Sequence, residues 1–185
     1  MKDLIGKRVA ILATSGFEES ELFEPKKALE KSGAEVIIIA PDKGFIKAWN
    51  HGNWSKEIEV DLTIDEAKES DFDALVLPGG VINPDKLRRY PEAVDFVHRF
   101  FENNKFVASI CHGPQLLIEA EVVKGRTMTS FSSIKKDLQN AGANWIDEEV
   151  VVDNNLLTSR SPEDLKAFNR KLLEEIAKVE EPVRR

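Results

Sequence analysis

The stretch FVASICHGPQLL, Phe106 to Leu117, carries the only cysteine of the chain, Cys111, followed directly by His112, Gly113 and Pro114. A thiol placed where an apolar, strand-like run breaks into a helix is positioned to act as a nucleophile. The sharp turn lifts the central side chain out of the sheet and leaves the first N–H groups of the helix unpaired. The positive end of that helix is expected to pull the thiol pKa below its free value of about 8.5. Pro114 suits a first helical turn, where its missing N–H leaves no bond unmade. In ALVLPGG, Gly79 and Gly80 let backbone approach a substrate closely, and their N–H groups, with that of His112, are candidates to hold an oxyanion.

Proton transfer needs a partner, and the sequence offers histidines only at positions 51, 98 and 112. His112 adjoins the thiol, although neighbouring side chains on a turn point different ways. His51 lies in an insertion and could approach from there, whereas His98 reads as a boundary residue of an amphipathic helix. The run GFEESELFEP places Glu18, Glu19, Glu21 and Glu24 at a helix start. Acids there complement the helix dipole, yet one carboxyl pointing into the cleft could share a proton with Cys111, and burial would raise its own pKa to suit. No ligand spacing is diagnostic of a metal, and the reading assigns neither metal nor cofactor.

These residues need a frame that brings them together. Apolar runs rich in β-branched residues recur as RVAILAT, EVIIIA, ALVLPGG, FVASIC, EVVVD and LLTSR. Helical segments are expected between them at 20–32, 91–103, 114–121 and 134–141, with a last one at 162–179. Runs apolar on both faces suit a parallel sheet covered by helices, so the fold class is α/β: a three-layer sandwich with a mostly parallel central sheet. Ligands in such sheets gather beyond the carboxyl ends of the strands, where 16–21, 78–80 and 111–113 all fall. Gly33 in KSGAE and Gly142 in NAGAN read as helix C-caps, and SPED as a capping box with Ser161 as cap and Asp164 as its partner. Residues 43–55 interrupt the alternation as a hairpin or a loop over the site. A chain of 185 residues is expected to form a single domain, with 180–185 as a frayed tail.

Composition narrows the function classes. A formal charge of −7, with basic residues interspersed among acids, argues against nucleic acid as a partner. No apolar run approaches the roughly 18 residues of a membrane span, and the amino-terminal run lacks a secretory cleavage pattern, so the expected location is cytoplasmic. One cysteine excludes an internal disulfide.

In order along the chain, GFEESEL, HGNWS, FDALVLPGGVINPDKLR, ASICHGPQLL, VKGRTMTS, NAGANWIDEEVVVD and LLTSRSPEDLKAFNR resemble the PfpI/ThiJ superfamily, and its PfpI intracellular-protease-like branch most closely. The resemblance covers essentially the whole chain and implies a flavodoxin-like fold of the class I glutamine amidotransferase kind with a cysteine nucleophile elbow. Carried over by position, it implies Cys111 as nucleophile, His112 as its partner and Glu21 as the acid at the thiol, with Glu18 a weaker candidate. PfpI-type proteases complete a triad with a neighbouring subunit's glutamate just beyond PGG. The loop here is one residue longer and offers Asp85. His51 matches the family's histidine in HGNWS, which departs from the common HTDWG. Arg160 and Ser161 fall at the subunit contact or site rim. A glutamine amidotransferase needs a histidine downstream of the cysteine on a later strand, and none follows His112.

The expected function is a cysteine-dependent hydrolase acting on reactive dicarbonyls or glycated thiols and amines. An intracellular cysteine peptidase is the near alternative, and a non-catalytic redox-sensing or chaperone-like stress protein the distant one. The expected partners are a small carbonyl compound or a modified protein or peptide, and further copies of the chain as a dimer or hexamer.

Overall fold

The computed structural model describes residues 3–179; the expected frayed tail, 180–185, lies outside them. Chain order runs β1 (Arg8–Leu12), β2 (Phe17–Glu18), α1 (Glu19–Lys31), β3 (Glu35–Ala40), β4 (Phe45–Asn50), β5 (Asn53–Glu59), β6 (Leu62–Thr63), β7 (Ala74–Leu77) and α2 (Ile82–Leu87). It continues through α3 (Pro91–Glu102), β8 (Phe106–Ile110), α4 (Pro114–Glu119), β9 (Thr127–Met128), α5 (Lys135–Asn140), β10 (Asn144–Trp145), β11 (Val151–Asp153), β12 (Leu156–Ser159) and α6 (Leu165–Ile176). The main sheet has seven strands in the order β11-β12-β8-β7-β1-β3-β6. Every pairing in it is parallel except β11 with β12.

Side chains alternate across this sheet with the period of two that a strand imposes. In β1, Val9 and Ile11 enter the core beneath α1 and α6, while Ala10 and Leu12 enter the core beneath α3, α4 and α5. In β7, Ala74 and Val76 divide from Leu75 and Leu77 in the same way. Both faces are therefore buried, which is why these strands read as unbroken apolar runs. Among the described residues no helix is long and apolar enough to cross a membrane.

Helix ends follow the expected glycines. At the end of α1, Gly33 has φ 95°. Its N–H donates to the Glu30 carbonyl, and that of Ala34 to the Leu29 carbonyl, a Schellman motif. Gly142, at φ 92°, closes α5 with the same pair of bonds.

Two local expectations change, and a third resolves to one of its two alternatives, the hairpin. Helix α2 occupies a segment read as loop, because Pro84 lies in its first turn, where an N–H is not needed. The capping box at SPED does not form: the Ser161 hydroxyl donates to Glu163, and the Asp164 carboxylate accepts from the Arg160 backbone and guanidinium. The 43–55 insertion is the root of the β4–β5 hairpin, which joins β2 in a separate three-stranded sheet. Its tip, His51 and Gly52, has φ 46° and 83°, the pair of positive values that a two-residue hairpin turn of the primed kind requires.

The α3-side core rests on Phe100, which is fully buried with its ring centroid 5.2 Å from that of Phe96. Replacing Phe100 with Ala is expected to cost about 3–5 kcal/mol of stability, read as a lowered urea midpoint at unchanged slope.

Candidate active site

Strand β8 ends at Ile110, and Cys111 takes φ 62°, a left-handed conformation that a non-glycine residue rarely adopts. The flanking bonds hold it there: the Cys111 N–H donates to the Ser159 carbonyl, and the Cys111 carbonyl accepts from the Phe131 N–H. Gly113 and Pro114 then open α4. A β-carbon on Gly113 would stand 2.6 Å from the Leu77 carbonyl oxygen and 2.5 Å from the Ser109 hydroxyl, so only glycine lets the chain turn this close to the sheet. The turn between β8 and α4 carries Cys111 at its apex, with the residue 6% exposed.

Glu21 reaches the thiol from α1. Its side chain has no exposure, and Oε2 accepts the Gly79 N–H at 2.8 Å. A β-carbon at Gly79 would lie 2.5 Å from that oxygen and 2.6 Å from the Cys111 β-carbon, so the glycine is the spacer that allows carboxyl and thiol to meet. The carboxyl also interacts with the Cys111 side chain, and its Oε1 is buried with no hydrogen-bond partner. Burial pushes the Glu21 pKa up to about 8, aided by the nearby charge of Glu18 and opposed by the thiol and the Gly79 N–H. Glu21 is therefore a carboxylic acid at neutral pH.

The thiol departs from expectation. Its pKa moves up, first through burial and then through the charge of Glu21, against the pull of N–H groups from Gly80 and His112 on the sulfur. The dipole of α4, a helix of six residues, does not outweigh the loss of water. Protonation of Glu21 removes the repulsive part, so the ionisation of the thiol depends on the state of the carboxyl.

His112 is placed as the thiol's neighbour. Nδ1 lies 3.2 Å from Sγ, Nε2 lies 3.0 Å from the Ser133 hydroxyl, and the ring stacks on Phe131 at 4.8 Å between centroids. Burial lowers its pKa, which keeps the ring neutral. In the tautomer that donates Nε2–H to Ser133, Nδ1 presents a lone pair to the sulfur.

The other expected residues fall elsewhere. The Gly79 N–H is engaged by Glu21, whereas the N–H groups of Gly80 and His112 face the sulfur. Gly80 itself has φ 84°, and a β-carbon there would meet the Gly16 carbonyl oxygen at 2.5 Å. Glu18 accepts a hydrogen bond from Ser20 and acts on Glu21 through its charge. His51 is exposed at the hairpin tip, and Asp85 is exposed on α2. Arg160 is bound by Asp164 and Asp147. Among the described residues no group of three His, Cys, Asp or Glu side chains could hold a metal ion.

Two residues of the site escaped sequence reading. Asn83 is fully buried; its Nδ2 donates to the carbonyls of Pro78 and Gly79, and its Oδ1 accepts the Thr14 N–H, which ties the PGG turn to the end of β1. Ser133 orients the histidine from 21 residues away. Asn83 left one signal, an amide side chain within an otherwise apolar VIN run after PGG.

The model of the DJ-1/PfpI family matches residues 7–175. "Putative cysteine protease YraA" of Bacillus subtilis is 45% identical over 169 residues, covering 91% of this chain and 98% of that protein. "General stress protein 18" of the same organism is 45% identical over 170 residues, covering 91% and 97%. A two-domain crystal structure from Anabaena variabilis, with DJ-1/ThiJ/PfpI-like and ferritin-like domains, superposes with a TM-score of 0.88 at 42% identity. That match covers 92% of this chain and 48% of the larger one.

A carboxyl whose pKa is raised on folding, from 4.5 to about 8, favours the folded state fully below the lower value. That contribution is lost as pH rises through the upper value, because the unfolded chain ionises first. Stability of the wild type relative to Glu21→Gln is therefore expected to fall between pH 5 and about 8 and then level off, measured as urea midpoints across that range.

Proposed function

We propose that this chain, which belongs to the DJ-1/PfpI family, is a cysteine-dependent hydrolase of small reactive dicarbonyls such as methylglyoxal, or of their adducts with thiols and amines. The observation that carries the proposal is the pairing of Cys111 with a buried, protonated Glu21 beside the Gly80 and His112 N–H groups that face the sulfur. The cysteine-protease and stress-protein names of its relatives support a reactive thiol and a protective setting.

The chemistry balances with water as the only co-reactant. The thiol proton passes to Nδ1 of neutral His112 as Sγ bonds to the aldehyde carbon. The carbonyl electron pair moves to oxygen, held by the Gly80 and His112 N–H groups and protonated by Glu21, giving a hemithioacetal. The Glu21 carboxylate then takes the C–H proton of that carbon while His112 returns its proton to the ketone oxygen, and the resulting enediol tautomerises, losing its C1 hydroxyl proton as the neighbouring carbon gains one, to give a thioester. Water cleaves the thioester, releasing lactate and restoring the thiol. The aldehyde carbon is oxidised and the ketone carbon reduced, so no external oxidant is involved.

A small carbonyl fits better than a peptide bond. Expelling an amine calls for a histidine oriented by an acid, whereas His112 meets the hydroxyl of Ser133 and Asp85 stands exposed on α2. A second copy of the chain, seated over exposed Val81 and Phe131 beside the thiol, is the partner that would supply such an acid.

Methylglyoxal consumption and lactate release test this directly. Cys111→Ser is expected to abolish turnover, and Glu21→Gln to lower kcat by about 10²–10⁴-fold while the thiol still alkylates. Lactate production by Cys111→Ser at the wild-type rate would overturn the proposal, and cleavage of peptides with methylglyoxal untouched would replace it with the peptidase.

A further inference from the structure

Residues that follow β1, β3 and α2, with the last turn of α2, line a cavity of about 470 Å³. Thr14, Ser15, Asp42, Lys86, Arg89 and Tyr90 line it. Its volume is in the range of small-molecule pockets.

The charges around this cavity are unpaired. Neighbouring Arg88 pairs with Glu119 at 2.9 Å, and Lys26, Arg99 and Lys171 likewise have acid partners. Among the described residues Lys86, Arg89 and Asp42 have none, although all three reach the same cavity. Lys86 lies in the last turn of α2 and Arg89 in the turn that follows it, and both line the cavity. A helix dipole accounts for basic residues at this end of a helix, but not for the hydroxyls and the carboxylate opposite them.

Hydrogen bonding fixes the polarity of the wall. The Ser15 hydroxyl oxygen accepts the Lys47 N–H at 3.0 Å, which leaves its own O–H free to donate. The Arg89 fork, the Lys86 ammonium, the Ser15 O–H and the Tyr90 phenol therefore offer donors, and Asp42 alone offers a charged acceptor. Several donors matching the three free oxygens of a phosphate monoester, with one carboxylate left for hydroxyl groups, define a ligand with both parts.

We propose that this cavity binds a small phosphorylated polyhydroxy compound, its phosphate on Lys86, Arg89 and Ser15 and its hydroxyls on Asp42. The site is separate from the thiol but not isolated from it. Thr14 in the cavity wall donates its N–H to Asn83 at 2.8 Å, and Asn83 in turn holds the carbonyls of Pro78 and Gly79.

The test titrates ribose 5-phosphate, inorganic phosphate and ribose separately into the ¹⁵N-labelled full chain and follows backbone amide shifts. Saturable shifts centred on Ser15, Lys86, Arg89 and Tyr90 are expected with ribose 5-phosphate, weaker ones with inorganic phosphate and none with ribose. The double substitution Lys86→Ala and Arg89→Ala is expected to weaken ribose 5-phosphate by about tenfold or more. Asp42→Asn should weaken ribose 5-phosphate but not inorganic phosphate. Cys111→Ser should bind as the wild type does, which keeps this site distinct from the proposed chemistry. Absence of saturable shifts, unchanged affinity in the double variant, equal affinity for the two phosphates, or loss of binding in Cys111→Ser would each overturn the assignment.

Discussion

A carboxyl group with no access to water is held at Glu21 against one backbone N–H and one thiol, and much of the site is arranged around that fact. An isolated buried anion would cost several kcal/mol, so the group keeps its proton and becomes a donor. For it to reach the sulfur, the chain between must have no side chain, and Gly79 meets that need at contact distances no β-carbon tolerates. For Gly79 to stay in place, its carbonyl and that of Pro78 are held by Asn83, which itself accepts the Thr14 N–H just beyond β1. Acid, spacer and clamp come from α1, the turn after β7 and α2, and the parallel sheet delivers all of them to one edge.

The second constraint is the left-handed backbone at Cys111. Residues held there cost of order 1–3 kcal/mol and persist only where their surroundings over-determine them. Here the bonds to Ser159 and from Phe131 fix both sides of the peptide, and the tight fit of Gly113 against Leu77 and Ser109 excludes a relaxed turn. What the strain achieves is exposure of Sγ to the N–H groups of Gly80 and His112, with His112 brought to 3.2 Å despite being adjacent in sequence. Adjacent side chains on a regular strand or helix diverge; on this turn they converge.

Legibility from sequence followed the range of the interaction. The apolar runs RVAIL and FVASI marked strands buried on both faces, the glycines of KSGAE and NAGAN marked helix ends, and CHGP marked the turn from β8 into α4, because each depends on neighbours in the chain. Glu21 was legible from its neighbours only as one of four acids and was singled out by the family resemblance, while the burial that sets its protonation is revealed only by the packed sheet. The direction of the thiol shift was misread for the same reason, since a helix terminus is visible in sequence and desolvation is not. Asn83 and Ser133 act across 69 and 21 residues, and neither position carries a local pattern that announces its partner. The short helix α2 was hidden by Pro84, a residue that breaks helices everywhere except in their first turn.

The protonation state of Glu21 is the quantity on which this account stands. The side-chain carboxyl resonance of Glu21 in ¹³C-labelled protein, assigned by its loss in Glu21→Gln and followed from pH 5 to 9, measures it directly. A neutral carboxyl at pH 7, with a midpoint near 8 that moves when Cys111 is replaced by Ser, is the result the structure predicts. A resonance already ionised at pH 6 and indifferent to Cys111 would contradict it.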